Sequence, residues 1–109
     1  YIVAEFWQDG MDTQAWYNSN GEWLMTEFDL GRNVSALPQA VQEAFQNSAY
    51  ATWRVDEIDL YERPKDAFYL IEVETQGQTE RDLYFAPDGT LLKDEADREN
   101  HEVTPDIVF

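Results

Sequence analysis

The 109-residue chain contains no cysteine. That excludes disulfides, thiolate catalysis and zinc–thiolate centres. It leaves the compartment open, because a reducing cytosol and a disulfide-poor bacterial periplasm both accommodate such a chain. Basic residues are scarce: 7 Lys and Arg stand against 23 Asp and Glu, for a formal net charge of −16. A field of that sign repels phosphate backbones and anionic lipid, which argues against nucleic acid as a partner. Solubility is the simplest account of the acidity. Histidine occurs once, as His101, in a polar stretch with no nucleophile or orienting partner in view, so no general base is read there. No apolar run reaches the ~18 residues of a membrane-spanning helix.

What is present is apolar and aromatic. Hydrophobic residues make up 43% and aromatics 15%, with four Trp. This composition fits one folded domain over residues 1–109 with a single modest core. One motif occurs twice. Trp16-Tyr17-Asn18-Ser19-Asn20-Gly21-Glu22-Trp23-Leu24 reappears as Tyr84-Phe85-Ala86-Pro87-Asp88-Gly89-Thr90-Leu91-Leu92, at a constant offset (89 − 21 = 68). Both copies read as strand, tight turn, strand. Asn20-Gly21 and Asp88-Gly89 supply the positive φ that a hairpin turn needs.

β-Branched and aromatic alternation predicts strands over residues 1–8, 13–18, 23–28, 53–62, 68–75 and 79–85, with a further one starting at Leu91. Residues 93–102 read as a polar tail or loop. Residues 103–109 turn apolar and read as an edge strand, weakened by Pro105. The convincing helix covers residues 37–47. Ser35 is its expected N-cap and Pro38 falls in the first turn. Leu37, Val41, Ala44, Phe45 and Ser48 form a narrow apolar stripe, so this helix should lie on one sheet face.

Several segments together resemble a known family. The run Leu37-Pro38-Gln39-Ala40-Val41-Gln42-Glu43-Ala44-Phe45 is similar to the helix opening "LP-x-x-V-x-x-x-F" of PepSY-like, beta-lactamase-inhibitor-like proteins of Bacteroides-type bacteria. Tyr50, then Tyr69-Leu70-Ile71-Glu72-Val73, then Leu83 through Leu92 with its "F-x-x-D-G-x-L-L" continue the pattern in order. The resemblance implies an α+β fold of tandem PepSY-like repeats, an antiparallel sheet with helices on one face. Repeat one would span about 1–30, repeat two about 35–97, and a C-terminal segment 98–109. A first helix would lie upstream of Tyr1, as would a signal peptide, which makes the expected location exported, in the periplasm or at the cell surface. The resemblance offers no catalytic motif to transfer. It implies a binding or inhibitory module.

Two groups of carboxylates are candidate sites. Asp94, Glu95, Asp97 and Glu99 lack the EF-hand order for Ca²⁺. Glu72 and Glu74 share a strand face, as a glycosidase pair would, but no sugar cleft is readable beside them. Both groups read as solvated faces, and the expectation is no metal, no cofactor and no catalysis. The aromatics carry the functional reading. With a three-residue loop in each hairpin, Ala15, Tyr17, Trp23, Met25, Leu83, Phe85 and Leu91 fall under the helix. Trp16, Leu24, Phe68, Leu70, Tyr84 and Leu92 then form an apolar patch on the opposite face, where a single helical layer leaves the sheet in water. That patch is the expected partner-binding surface for a protein or peptide. The alternative is a glycan or small ligand stacked on Trp16 or Tyr84. Dimerisation, the upstream helix or the C-terminal segment could equally cover the patch.

Overall fold

A computed structural model describes residues 1–97 and 102–109. Seven strands form one antiparallel sheet in sequential order: β1 (Ile2–Gln8), β2 (Met11–Tyr17), β3 (Trp23–Gly31), β4 (Arg54–Glu62), β5 (Ala67–Glu74), β6 (Arg81–Phe85) and β7 (Leu91–Ala96). Between β3 and β4 come a 3-10 turn, Val34–Ala36, and the helix α1 (Gln39–Gln46). Its N-terminus differs from expectation. Asn33, not Ser35, is the side-chain cap, accepting a 2.9 Å bond from the Ser35 amide within the 3-10 turn, and Pro38 stands at the N-cap of α1. Proline is suited to that place because its fixed φ matches and the missing N–H would have no partner. At the other end the Ser48 hydroxyl donates to the Phe45 carbonyl at 2.7 Å.

α1 covers one face of the sheet. Leu37, Val41 and Phe45, four residues apart, bury with Ile58, Ile71, Val73, Leu83 and Phe85 in one apolar cluster. Helical spacing on α1 and alternation on β5 thus meet where the pattern predicts. The other face holds a second cluster, Trp16, Met25, Tyr61, Phe68, Leu70, Tyr84 and Val103, with Leu24, Leu92 and Ile107 at its margin.

The tandem-repeat expectation is corrected. The molecule is a single small domain built on one seven-stranded sheet with one short helix. The repeated motif is a repeated turn and nothing larger. In both copies the residue before the loop bonds the one after it (Asn18 N–H to Glu22 O, Ala86 N–H to Thr90 O), and the glycine amide closes the turn. Their surroundings differ. A Cβ on Gly89 would lie 2.6 Å from the Ala40 carbonyl oxygen of α1, whereas one on Gly21 would meet nothing within 4 Å. Only the second turn is packed under a helix.

Register supplies the next correction. Tyr17 faces Trp23 and Phe85 faces Leu91, as a three-residue loop requires, but Trp16 faces Met25 and Tyr84 faces Lys93, where that loop would pair them with Leu24 and Leu92. Each hairpin carries a bulge in which Leu24 or Leu92 is the extra residue, and a bulge reverses the facing of everything beyond it. Met25 therefore joins the cluster opposite α1 instead of the core beneath it, while Trp23 and Leu91 stand exposed. The strand expected to start at Leu91 is β7, and it runs on to Ala96, where a polar tail was expected from residue 93. Residues 103–109 are not an edge strand: they lie across the sheet face opposite α1, with Val103 buried and Phe109 edge-on to Phe68 at 5.0 Å.

Candidate functional site

The six residues expected to bind a partner, Trp16, Leu24, Phe68, Leu70, Tyr84 and Leu92, do come together in one cluster on the face opposite α1. Their expected exposure is corrected. Trp16, Phe68, Leu70 and Tyr84 are buried, and Leu24 and Leu92 are half-buried. The cover is the C-terminal segment. Val103 and Ile107 pack on the cluster, and the Phe109 ring lies 5.4 Å from that of Tyr84. Arg63 fastens it. Its Nη1 donates to the Pro105 carbonyl (3.1 Å) and the Ile107 carbonyl (2.6 Å), while Nε and Nη2 grip Asp66 at 2.7 and 2.6 Å. Its guanidinium also lies 5.3 Å from the Phe68 ring centre.

Beyond the aromatic cluster the same face turns acidic. Strand pairing lines carboxylates up across the sheet. Asp29 faces Asp59; Glu57 faces Glu72, Glu72 faces Asp82, and Asp82 faces Glu95. Like charges directly opposite one another destabilise a sheet unless something neutralises them. Two bulges help to build these rows. Leu30 and Asp56 are the extra residues, so Asp29 pairs with Asp59, and Val55 keeps its place beside Val73 while Glu57 turns to Glu72. An open hollow of about 500 Å³ lies over the β1–β4 part, lined among others by Glu5, Asp12, Gln14, Glu27, Asp29 and Asp59. Phe6 stands at its rim, on an edge strand whose residues are all exposed.

Lys93 reaches Glu95, but cations do not answer the rest of these charges. Among the described residues the ion pairs are Arg54 with Asp56 and Glu74, Arg63 with Asp66, Arg81 with Asp94, and Lys93 with Glu95. None reaches Glu27, Asp29, Glu57, Asp59, Glu72 or Asp82. Burial, then a hydrogen bond with Glu57 and the charges of Glu27, Glu57 and Asp29, pushes Asp59 up to about 10. Burial and Glu57 push Glu72 up to about 9. Burial and the charges of Asp97, Glu95 and Glu80 push Asp82 up to about 7. Burial also raises Glu27, against a hydrogen bond from Tyr61. The face is built to take up positive charge, whether protons, a metal ion or cationic side chains.

The carboxylate groups considered from sequence fall apart. Asp94 points to the α1 side, where it accepts from Arg81 and from the Tyr50 hydroxyl at 2.7 Å, whereas Asp97 gathers with Glu72 and Asp82. Glu74 gathers with Asp56 and Glu80, apart from Glu72. Glu99 and His101 lie outside the described residues. Sequence reasoning missed the carboxylate rows. Alternation on β3 to β6 carried a signal, since Glu27/Asp29, Glu57/Asp59 and Glu72 fall at same-face positions, but assembling them needed the strand register.

Residues 1–93 match the family described as "Putative beta-lactamase-inhibitor-like, PepSY-like". The chain belongs to this family. Crystal structures similar to this PepSY-like chain come from Bacteroides species. A BLIP-like protein from Bacteroides fragilis NCTC 9343 superposes with a TM-score of 0.81 at 34% identity, over 93% of this chain and 72% of that one. A DUF2874 family protein from Bacteroides ovatus ATCC 8483 gives 0.81 at 33% identity, over 86% and 67%. A protein from Bacteroides eggerthii DSM 20697 described as one of the "putative periplasmic proteins" gives 0.82 at 27% identity, over 86% and 68%. Among curated proteins, none matches at a significant level. No helix among the described residues is long and apolar enough to cross a membrane.

Proposed function

We propose that the chain is a non-enzymatic, exported binding module of the inhibitor kind, which holds a protein or peptide by seating Lys or Arg side chains on the acidic face. The observation that carries this reading is that no described cation pairs with Glu27, Asp29, Glu57, Asp59, Glu72 or Asp82. Family membership supports the inhibitor class, and the periplasmic description of one neighbour supports export. In this reading the six aromatic and aliphatic residues anchor residues 103–109, and the partner meets the uncovered acidic part. Phe6 stands at the rim of that part, and an exposed aromatic beside a charged patch can serve as an interface anchor. A glycan stacked on Trp16 or Tyr84 is less well supported, because both rings are buried.

The family description makes a beta-lactamase one protein to assay, alongside an array of Lys/Arg-rich and neutral peptides. Binding should favour the basic peptides, and its on-rate should fall as salt rises. Replacing Glu27 and Glu57 together by Gln should weaken it at least tenfold. Equal affinity for neutral and basic peptides, or full affinity in the double variant, would overturn the reading. Sedimentation of the free protein would report separately whether copies associate.

A further inference from the structure

We propose that Glu72, Asp82 and Asp97 form a calcium site on the sheet face opposite α1, against the sequence expectation of no metal. Three adjacent segments bring the ligands together. Glu72 on β5 and Asp82 on β6 are direct cross-strand neighbours. Asp97 follows β7 and is held beside β6 by its amide, which donates to the Glu80 carbonyl at 2.8 Å. One oxygen from each of the three lies within 4.8 Å of the others. Two oxygens on opposite sides of a calcium ion are about 4.8 Å apart, given Ca–O distances near 2.4 Å. Magnesium demands a strict octahedron and keeps its own waters, whereas calcium accepts irregular sets of carboxylate oxygens.

An acidic cluster alone is no site, and a second observation singles this one out. Asp82 is only 1% exposed, and its Oδ1 has no hydrogen-bond partner. It is the one buried side-chain polar atom among the described residues left so. An orphaned buried carboxylate oxygen is costly unless a ligand satisfies it. Asp82 lines a hollow of about 190 Å³ with Glu72, Asp97 and Glu102. Three carboxylates can supply several oxygens, and water can complete the six to eight that calcium takes. The other carboxylate groups lack this combination. In the group of Asp56, Glu74 and Glu80 the first two already pair with Arg54, and Asp29, Glu57 and Asp59 contain no orphaned buried atom. The site does not depend on which protein the acidic face meets.

Trp16 and Tyr61 line the same hollow, so a terbium ion in the calcium position should luminesce when the aromatics are excited. The test is a terbium titration of the metal-stripped protein, competed with calcium and with magnesium, beside thermal melts in each cation. A saturable signal that calcium displaces is expected, with a calcium Kd on the order of 10⁻⁴ to 10⁻³ M, as in extracellular modules, and a melting temperature that rises with calcium. Asp82→Asn should weaken calcium at least tenfold while keeping the circular dichroism of the wild type. If that variant fails to fold, Glu72→Gln and Asp97→Asn carry the same comparison. No saturable signal, an undiminished affinity in the variants, or magnesium competing as well as calcium would overturn the assignment.

Discussion

Asp59 gives the most direct test of the acidic face. It is 3% exposed, faces Asp29 across β3 and β4, and is flanked by Glu27 and Glu57, with no described cation within 4 Å. Burial is the main reason that its carboxyl is pushed from 3.8 up to about 10. A group whose folded pKa is raised contributes stability below its unfolded pKa and loses it as pH rises towards the folded one. Here the folded chain keeps a proton that the unfolded chain has released, so stability should fall from about pH 4 to about pH 10. Each retained proton is worth about 1.4 kcal/mol per pH unit. Between about pH 5 and 8 Asp59 alone should therefore remove at most about 4 kcal/mol, a large share of the roughly 5–15 kcal/mol that holds a domain together. Asp66 and Asp88 do not cloud this window, because Arg63 and the Thr90 amide respectively lower them and their contribution is lost only in acid. Urea unfolding followed by Trp fluorescence, in chelator, at several pH values should show the decline. Asp59→Asn should flatten it by about 1.4 kcal/mol per pH unit and be the more stable protein above neutrality. Wild-type stability that rises over this range, or an Asp59→Asn line parallel to it, would refute the reasoning.

Three further outcomes are expected. Gly89→Ala should cost about 3 kcal/mol or more by urea unfolding, because it combines a positive-φ penalty with a Cβ driven against the Ala40 carbonyl, whereas Gly21→Ala, strained but open, should cost about 1 kcal/mol. Equal losses would show that α1 does not rest on the second turn. Phe45→Ala should destabilise by about 3–5 kcal/mol, since the ring is buried against Ile58, Ile71 and Phe85; a loss under about 1 kcal/mol would place α1 elsewhere. Arg63→Ala should speed amide exchange and proteolysis in residues 103–109 at least tenfold, because it removes both bonds to that segment; unchanged protection would mean that the ring contacts of Phe109 hold it without help.

Much of the fold was legible because two periodicities agree. Val41 and Phe45 on α1, with Ile71 and Val73 on β5, name the core under the helix without any knowledge of register. The hairpin ends Tyr17–Trp23 and Phe85–Leu91 follow from Asn20-Gly21 and Asp88-Gly89. What failed to show was long-range. Leu24 and Leu92 look like ordinary alternating residues, and nothing local marks them as bulges, yet one extra residue moved Met25 to the other face. The repeat misleads for a related reason: Gly21 and Gly89 share a local turn, and only tertiary packing tells them apart. Trp16, Leu24, Phe68, Leu70, Tyr84 and Leu92 do share one cluster, and the shared parity of Phe68 and Leu70 on β5 is the local signal for it. Their cover was not legible, because residues 103–109 look like a short strand and bind through Arg63, which is distant in sequence.

The acidic rows and the C-terminal cover are physically connected. Val103, the buried first residue of that segment, lines the same hollow as Glu72, Asp82 and Asp97, so the segment that seals the aromatic cluster also keeps water from the carboxylates beside it. Exclusion of water is the first cause of the raised Glu72 and Asp82 carboxyls, and it leaves Asp82 Oδ1 without a partner. Docking of residues 103–109 therefore works against ionisation of this row, and any cation that neutralises the row must favour the docked segment by the same free energy. On this linkage calcium should slow exchange at Val103 and Ile107 as well as raise the melting temperature. Arg63→Ala, which touches none of the three carboxylates, should weaken calcium in proportion to the freedom it gives the segment. Calcium affinity left unchanged by Arg63→Ala, in a variant whose segment exchanges freely, would separate the two features and show that the carboxylate row keeps its low-dielectric setting without the cover.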